Sequence, residues 1–140
     1  MRHYGRVVIV ALVLAHGVGC KGASSVCPEG THLVKERSTP GKEVWCRSKD
    51  GATARWLIFN GRDLLQSCGF RDGKAEGTFT AWHPGGKPWL QGDYREGAKV
   101  GRWTQWDAAG NKVAEGEYRT GQYVSGAPVG TPAQCERLKP

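Results

Sequence analysis

Histidine and methionine are scarce in this chain of 140 residues, and the motifs of common enzyme and metal sites are missing. Met1 is the only methionine, and His32 and His83 are the only histidines beyond residue 19. There is no Gly-x-Ser-x-Gly elbow, no His-Glu-x-x-His, no glycine-rich loop that opens a helix and no Cys-x-x-Cys pair. These absences argue against an enzyme, against a bound cofactor and against a zinc site.

Amphipathic helical patterns of useful length are also missing after residue 20, so we expect little helix. The chain is rich instead in glycine, with 21 residues, and in tryptophan, with six. This composition is typical of glycine-punctuated β structure with aromatic packing. A mature chain of this length forms one small domain with a modest core, to which disulfides would add stability.

The first 19 residues have the organisation of a bacterial signal peptide. Arg2 and Arg6 precede an uncharged apolar run from Val7 to Ala15. The run is too short to cross a bilayer as a helix, which takes about 20 apolar residues. We therefore expect residues 1–19 to be a signal helix that is cleaved after export.

The segment Gly17-Val18-Gly19-Cys20 resembles a lipobox, the bacterial lipoprotein signal, with Gly17 at a position where leucine is usual. The resemblance implies that Cys20 is diacylated and becomes the first residue of the mature protein. Lys21 follows it instead of aspartate, which favours sorting to the outer membrane. The alternative is an ordinary cleaved signal with Cys20 as a bystander or disulfide partner.

The chain has five cysteines, an odd number for an exported protein. Lipidation of one would leave four, which suit two disulfides in an oxidising envelope. These four are Cys27, Cys46, Cys68 and Cys135. Three connectivities are open.

We expect Cys27 to pair with Cys46. The turn residues Thr39-Pro40-Gly41 lie between two extended segments, His32 to Glu36 and Glu43 to Arg47, so a hairpin would bring the two cysteines together. The remaining two cysteines then pair by elimination.

The formal net charge is +7, and removal of Arg2 and Arg6 leaves +5 for the mature chain. Basic residues are interleaved with acidic ones, as in Asp93-Tyr94-Arg95-Glu96. The pattern argues against a nucleic-acid surface and permits weak attraction to anionic lipid or cell-wall polymer.

An internal repeat with a period of 24 residues occupies residues 77–124. The first copy reads GTFTAWHPGGKPWLQGDYREGAKV and the second reads GRWTQWDAAGNKVAEGEYRTGQYV. A decayed copy precedes them, in which residues 68–73 align with residues 92–97. The identical positions are Gly77/Gly101, Thr80/Thr104, Trp82/Trp106, Gly86/Gly110, Gly92/Gly116, Tyr94/Tyr118, Arg95/Arg119, Gly97/Gly121 and Val100/Val124.

Each copy is predicted to form a β-hairpin. In the first copy an aromatic strand, Thr78 to His83, leads through a turn at Pro84 to Lys87 into a return strand, Pro88 to Arg95. A second turn at Glu96-Gly97 leads to the next copy, and the Asn60-Gly61 pair supplies the turn of the decayed copy. Glycine permits the positive φ of such turns.

If Pro84 pairs with Lys87, the register places Trp82 opposite Trp89 and Phe79 opposite Gly92. By the same count Trp103 lies opposite Gly116, and we expect each of these two rings to cover its cross-strand glycine. Phe79 and Trp82 are three residues apart, as are Trp103 and Trp106, so each pair should point to opposite faces.

These motifs, Gly-x-aromatic-x-x-Trp and Glu/Gln-Gly-acid-Tyr-Arg-x-Gly, resemble the MORN-repeat variant family, which includes bacterial YwqK-type proteins labelled antitoxin components. The resemblance covers about residues 55–124. It implies an all-β fold, an elongated antiparallel sheet of stacked hairpins, with roles in scaffolding, protein binding or membrane-lipid association.

The predicted organisation is a signal peptide, a short linker, an N-terminal hairpin segment, three repeats and a tail. The linker includes the lipid anchor, the hairpin segment is closed by a disulfide, and the first repeat is degenerate. The boundaries are 1–19, 20–26, 27–52, 53–124 (53–76, 77–100 and 101–124) and 125–140.

Four aromatic residues of the repeats are candidates for a binding strip for a glycan, a peptide or a lipid headgroup: Trp82, Trp106, Tyr94 and Tyr118. The alternative is that they only pack a thin sheet. We expect a non-catalytic, lipid-anchored envelope protein that binds or scaffolds an envelope protein, a glycan or membrane lipid, and not nucleic acid. The alternative function is an immunity or antitoxin-like protein that neutralises an exported toxin.

Overall fold

The computed structural model describes residues 26–38, 41–130 and 135. The predicted signal peptide, Cys20, and Thr39 and Pro40 of the first predicted turn lie outside these residues. The described part is all-β, as expected, and contains no α-helix. Its strands are β1 (Thr31–Arg37), β2 (Lys42–Ser48), β3 (Thr53–Asn60), β4 (Asp63–Arg71), β5 (Lys74–Ala75), β6 (Gly77–Trp82), β7 (Pro88–Arg95), β8 (Ala98–Trp106), β9 (Lys112–Arg119) and β10 (Gln122–Gly126).

The strands form one antiparallel sheet in which sequence neighbours are also spatial neighbours. The order is β1-β2-β3-β4-β6-β7-β8-β9-β10, and β5 pairs with β4 beside β6. At about 4.8 Å per strand, the eight steps of this path make a sheet about 38 Å wide. The elongated sheet of successive hairpins is confirmed.

Strand positions and turn geometry repeat every 24 residues. β7 and β9 have eight residues each and begin at Pro88 and Lys112. In the turns Asp72-Gly73, Glu96-Gly97 and Thr120-Gly121 both residues have positive φ, between 47° and 86°. This geometry matches the right-handed twist of the flanking strands, which explains the recurrent glycine.

Successive copies are joined by the same backbone hydrogen bond. Gly97 N–H donates to the Ala75 carbonyl at 2.9 Å, and one repeat later Gly121 N–H donates to the Lys99 carbonyl at 2.9 Å. The sequence repeat is therefore a repeat of three-dimensional structure.

The predicted hairpin register is confirmed at the glycines and wrong at the turn. Phe79 pairs with Gly92 and Trp103 pairs with Gly116, but Trp82 lies opposite Pro88 and not Trp89. The turn closes between His83 and Lys87, whose N–H and carbonyl are 2.8 Å apart. A three-residue loop replaces the expected two-residue loop, so Trp89 becomes a bulge residue.

The expectation about which ring covers which glycine also needs correction. A Cβ atom at Gly92 would fall inside the indole of Trp103, which comes from the next repeat and provides all three of the nearest atoms. A Cβ atom at Gly116 would lie 2.8 Å from the Ala127 carbonyl oxygen. Trp103 therefore leans away from its hairpin partner onto the preceding hairpin, while the C-terminal segment covers Gly116.

One face of the sheet, the covered face, carries the main core. Its aromatic row runs across the repeats, with ring centroids 5.8 Å apart for Phe79 and Trp103, 5.1 Å for Tyr94 and Trp103, and 6.2 Å for Trp103 and Tyr118. Stacked and edge-to-face contacts at these distances stabilise aromatic clusters. Trp103 and Phe79 are fully buried.

A C-terminal strap, residues 127–130 and Cys135, covers this row. Val129 N–H donates to the Tyr118 hydroxyl at 3.3 Å and Gly130 N–H donates to Gln105 Oε1 at 2.8 Å. The Cys68–Cys135 disulfide then fixes the strap to β4. This pairing agrees with the sequence expectation.

Near the N-terminal end of the sheet, β2 and β3 are packed on both faces. Trp45 and Trp56 belong to the covered face, whereas Val44, Cys46 and Leu57 form a second cluster on the opposite face. Cys27 completes that cluster through the predicted disulfide to Cys46. The two disulfides thus fasten two terminal segments to opposite faces of one sheet.

Candidate binding face

The repeats leave one sheet face open, which we call the open face. It carries the side chains of β6 to β9 that alternate with the aromatic row. They include Thr78, Thr80, Trp82, Gln91, Asp93, Arg95, Arg102, Thr104, Trp106, Glu115, Glu117 and Arg119.

A polar row crosses the open face from strand to strand. Thr80 pairs with Gln91, Gln91 with Thr104, and Thr104 with Glu115. Gln91 Nε2 donates to Thr80 Oγ1 at 3.3 Å, and Thr104 Oγ1 donates to Glu115 Oε2 at 3.3 Å. The row presents hydroxyl, amide and carboxylate groups in one line.

The charges on this face are largely balanced locally. Lys112 lies 3.2 Å from Glu115 and Arg102 Nε lies 3.9 Å from it. The hydrogen bond from Lys112 holds the pKa of Glu115 below its ordinary value, with smaller contributions from Thr104 and Arg102. Thr78 Oγ1 donates to Asp93 Oδ1 at 2.8 Å. The face therefore has no strong field of either sign.

Two shallow depressions mark the open face. One, of about 260 Å³, is lined by Thr78, Gln91, Gly92, Asp93, Arg102 and Thr104. The other, of about 390 Å³, lies beside Trp82 at the end of the sheet formed by the hairpin turns 83–87 and 107–111, and includes Leu64, Gly85 and Gly86.

Trp82 and Trp106 occupy equivalent places on the open face, each next to the hairpin turn of its own copy, and both are half-buried. The two hairpin turns beside them are joined by side chains. His83 Nε2 lies 3.0 Å from the Trp106 carbonyl and Lys87 Nζ donates to the Ala109 carbonyl at 3.0 Å. These contacts fix the spacing between the two tryptophans.

The four residues of the predicted strip do not lie together. Tyr94 and Tyr118 are 3% and 8% exposed and belong to the aromatic row beneath the strap, whereas Trp82 and Trp106 lie on the open face. The sequence already indicated this separation. Tyr94 is two residues from Gly92, the cross-strand partner of Phe79, so by strand alternation Tyr94 shares the face of Phe79 and not that of Trp82. A binding strip on the open face retains the two tryptophans and loses the two tyrosines.

Sequence reasoning missed Lys99, a lysine in the core. It is 8% exposed, and its Nζ lies 4.7 Å from the Trp103 ring centroid and 5.2 Å from that of Tyr118. Such cation–π contacts offset part of the cost of burying the charge. The sequence offered one signal, the small apolar Ala75 at the equivalent position of the preceding copy, which the structure also buries.

Within the described residues, no cluster of three His, Cys, Asp or Glu side chains has the arrangement of a metal site. No helix in that part of the chain is long and apolar enough to span a membrane.

Comparisons of the chain with protein-family models, with curated proteins and with solved structures found no match.

Proposed function

We propose that this protein is a non-catalytic, lipid-anchored envelope protein whose MORN-like hairpin sheet binds a partner through the open face. One observation carries the proposal: the strap and a disulfide cover one face of the repeats, whereas the other presents polar groups and two tryptophans. A sheet that only needed to pack its aromatic residues would have no use for Trp82 and Trp106 on the uncovered side.

The internal repeat supports this assignment. The identical glycines at 77, 86 and 97 and their counterparts have positive φ, and Gly92 and Tyr94 with their counterparts belong to the core face, so the fold explains them. Thr80/Thr104, Trp82/Trp106 and Arg95/Arg119 are also identical, yet they lie on the open face. Retention of these three pairs favours a role outside the core.

The proposed anchor would attach at the N-terminal end of the sheet. Six residues separate Cys20 from Cys27, which the disulfide holds on β2. The span from Cys20 to Cys27 reaches at most about 24 Å, so β2 would stay near the membrane. The repeats follow on the far side of β3 and β4, where a partner can reach their open face. Lys21 after Cys20 favours the outer membrane.

Intact-mass analysis tests the anchor. Protein extracted from membranes should begin at Cys20 and carry a diacylglycerol. A soluble mature protein with another N-terminal residue would contradict the anchor without affecting the open face.

Photo-crosslinking in intact cells tests the binding face. A photoreactive amino acid at Gln91 or Thr104 should give specific adducts with an envelope component, and Trp82→Ala with Trp106→Ala should abolish them. The matched control places the same amino acid at Val34, which is 47% exposed and lies on the edge strand β1, away from the repeats. Equal adducts at all three positions, or adducts at Val34 alone, would refute binding through the open face.

A further inference from the structure

We infer that the ligand of the open face is an extended, uncharged glycan strand of N-acetylated sugars, as in the cell wall. The inference rests on the proposed function and specifies the chemical class of its partner. It follows from the spacing of the two tryptophans, the chemistry of the row beside them and the absence of other recognition features on the described part of this face.

The spacing fits a chain that crosses the strands. Trp82 lies on β6 and Trp106 on β8, so they are two strands apart, about 9.6 Å. That is close to the length of one disaccharide unit in an extended polysaccharide. Because the two positions are related by the repeat, a periodic ligand would meet the same surface at each step.

The polar row lies in the right place for the sugar hydroxyl and acetamido groups. Thr80 and Thr104 precede the two tryptophans by two residues, so they share their face, about 6.7 Å along the strand. Gln91 lies between the two threonines in the cross-strand register. An aromatic ring offers a sugar an apolar platform, while threonine and glutamine offer both donors and acceptors.

Charge argues against a polyanion such as an anionic lipid surface. Four basic residues of this face, Arg95, Arg102, Lys112 and Arg119, are nearly balanced by the acidic Asp93, Glu115 and Glu117, and Arg102 and Lys112 both contact Glu115. A surface for a polyanion would carry a clear excess of basic residues. An uncharged ligand needs no excess of positive charge on the face that binds it.

Hydrophobicity argues against a protein groove. The large hydrophobic residues that are exposed in the described part are Leu33, Val34, Val113, Tyr123 and Val124; none lies in the polar row, and only Val113, the bulge residue across from Trp106, comes near a tryptophan of the open face. Protein interfaces usually contain a buried apolar or aromatic centre surrounded by a polar rim. Here polar groups fill the centre and the two rings lie at one end.

The test measures binding of the full mature protein in detergent to two ligands. Binding to purified cell-wall sacculi is measured by co-sedimentation, and binding to a soluble N-acetylglucosamine oligomer is monitored by tryptophan fluorescence. Binding should persist in high salt, since screening removes general attraction of a basic protein to the wall. Trp82→Ala with Trp106→Ala leaves the charge unchanged and should weaken binding at least about tenfold. The matched control, Tyr123→Ala, removes an exposed aromatic residue elsewhere and should bind normally.

A second variant separates recognition from folding. Thr80→Val with Thr104→Val keeps the branched shape that suits a strand and removes two hydroxyl groups, so it should weaken oligomer binding without lowering the melting temperature.

Three results would overturn the inference. They are no binding to sacculi or oligomer, binding that high salt abolishes, and binding that the tryptophan variant retains. If the open-face crosslinks nevertheless form and contain a protein or a lipid, the glycan is wrong and the proposed function stands. If those crosslinks are also missing, both fail.

Discussion

The two ends of the sheet are built differently. β2 and β3 are packed on both faces, with Trp45 and Trp56 on one side and Val44, Cys46 and Leu57 on the other. The two clear copies of the repeat, β6 to β9, are packed on one face only. A hairpin sheet thus becomes stable by burying one face, and the second face is free for recognition only where no terminal segment is fastened over it.

The disulfides sharpen this contrast, because each holds a terminal segment against a different face. Cys27 is fixed to β2 on the side of the second cluster, and Cys135 is fixed to β4 on the side of the aromatic row. The open face of the repeats is therefore the one broad surface within the described residues that neither fastened segment covers. Variants on each side should therefore behave differently, with large losses of stability on the covered face and losses of binding on the open face.

The largest effect is expected for Trp103→Ala. Trp103 is fully buried, packs against Phe79 and Tyr118 and fills the space above Gly92. Truncation should lower the free energy of unfolding by about 3 to 5 kcal/mol, measured by denaturant titration. Trp103→Phe is the control and should lose clearly less, because it keeps a ring in place and removes an indole N–H that has no hydrogen-bond partner. Equal losses would mean that ring packing is not what stabilises the row.

Removing each disulfide in turn should show which of the two contributes more to the free energy of unfolding. Their sequence separations are 67 for Cys68–Cys135 and 19 for Cys27–Cys46. The entropy of loop closure predicts losses of about 4 and about 3 kcal/mol for the serine double variants. Chemical denaturation of both variants checks the order. A larger loss for Cys27→Ser with Cys46→Ser would show that packing of the N-terminal cluster outweighs loop length.

Gly92→Ala should be harmful although it adds only a methyl group. That group would overlap the Trp103 indole, and overpacking of this kind costs about 1 to 3 kcal/mol. Thermal unfolding measures the loss, and the double variant Gly92→Ala with Trp103→Phe should recover part of it. A neutral Gly92→Ala would contradict the placement of Trp103 over the preceding hairpin.

Much of this architecture was predictable from the sequence because the repeat fixes it. The glycines of the two-residue turns define the hairpin ends, and the pairing of Phe79 with Gly92 follows from counting between them. The bulge at Trp89 did not follow, because two glycines in succession, Gly85 and Gly86, fit a loop of either two or three residues. One residue of difference changed the cross-strand partner of Trp82.

The covered face was harder to predict because contacts distant in sequence create it. Nothing local shows that residues 127–130 return over the aromatic row, or that Lys99 lies beside Trp103. The candidate strip grouped two residue types by chemistry, although strand alternation places the tyrosines and the tryptophans on opposite faces. The tryptophans remained candidates because they lie on the face that the strap does not cover.

A small effect with a defined pH dependence is expected at the second hairpin turn. Asp107 Oδ1 accepts hydrogen bonds from Gly110 N–H and Asn111 N–H, both at 2.9 Å. The Asn111 bonds, and after them those of the neighbouring turn residues, hold the pKa of Asp107 below its ordinary value of 3.8. A lowered pKa means that the stabilisation is fully present above the unfolded-state pKa and is lost as pH falls through the folded-state pKa.

Asp107→Ala should therefore melt below the parent protein at neutral pH, and the gap should narrow once pH falls below about 3.9. Asp107→Asn keeps an acceptor oxygen and should melt between the two. Thermal scans across the acid range check this. A gap that stays constant with pH would show that the turn depends on shape and not on the carboxylate.

The most direct test of the central claim is oxidative footprinting of the tryptophans in the full mature protein, alone and bound to sacculi. The account predicts that Trp82 and Trp106 are modified in the free protein and protected in the bound one, while Trp56 and Trp103 resist modification in both. Modification of Trp103 as rapid as that of Trp82, or unchanged modification of Trp82 and Trp106 on binding, would contradict the division into a covered face and a binding face.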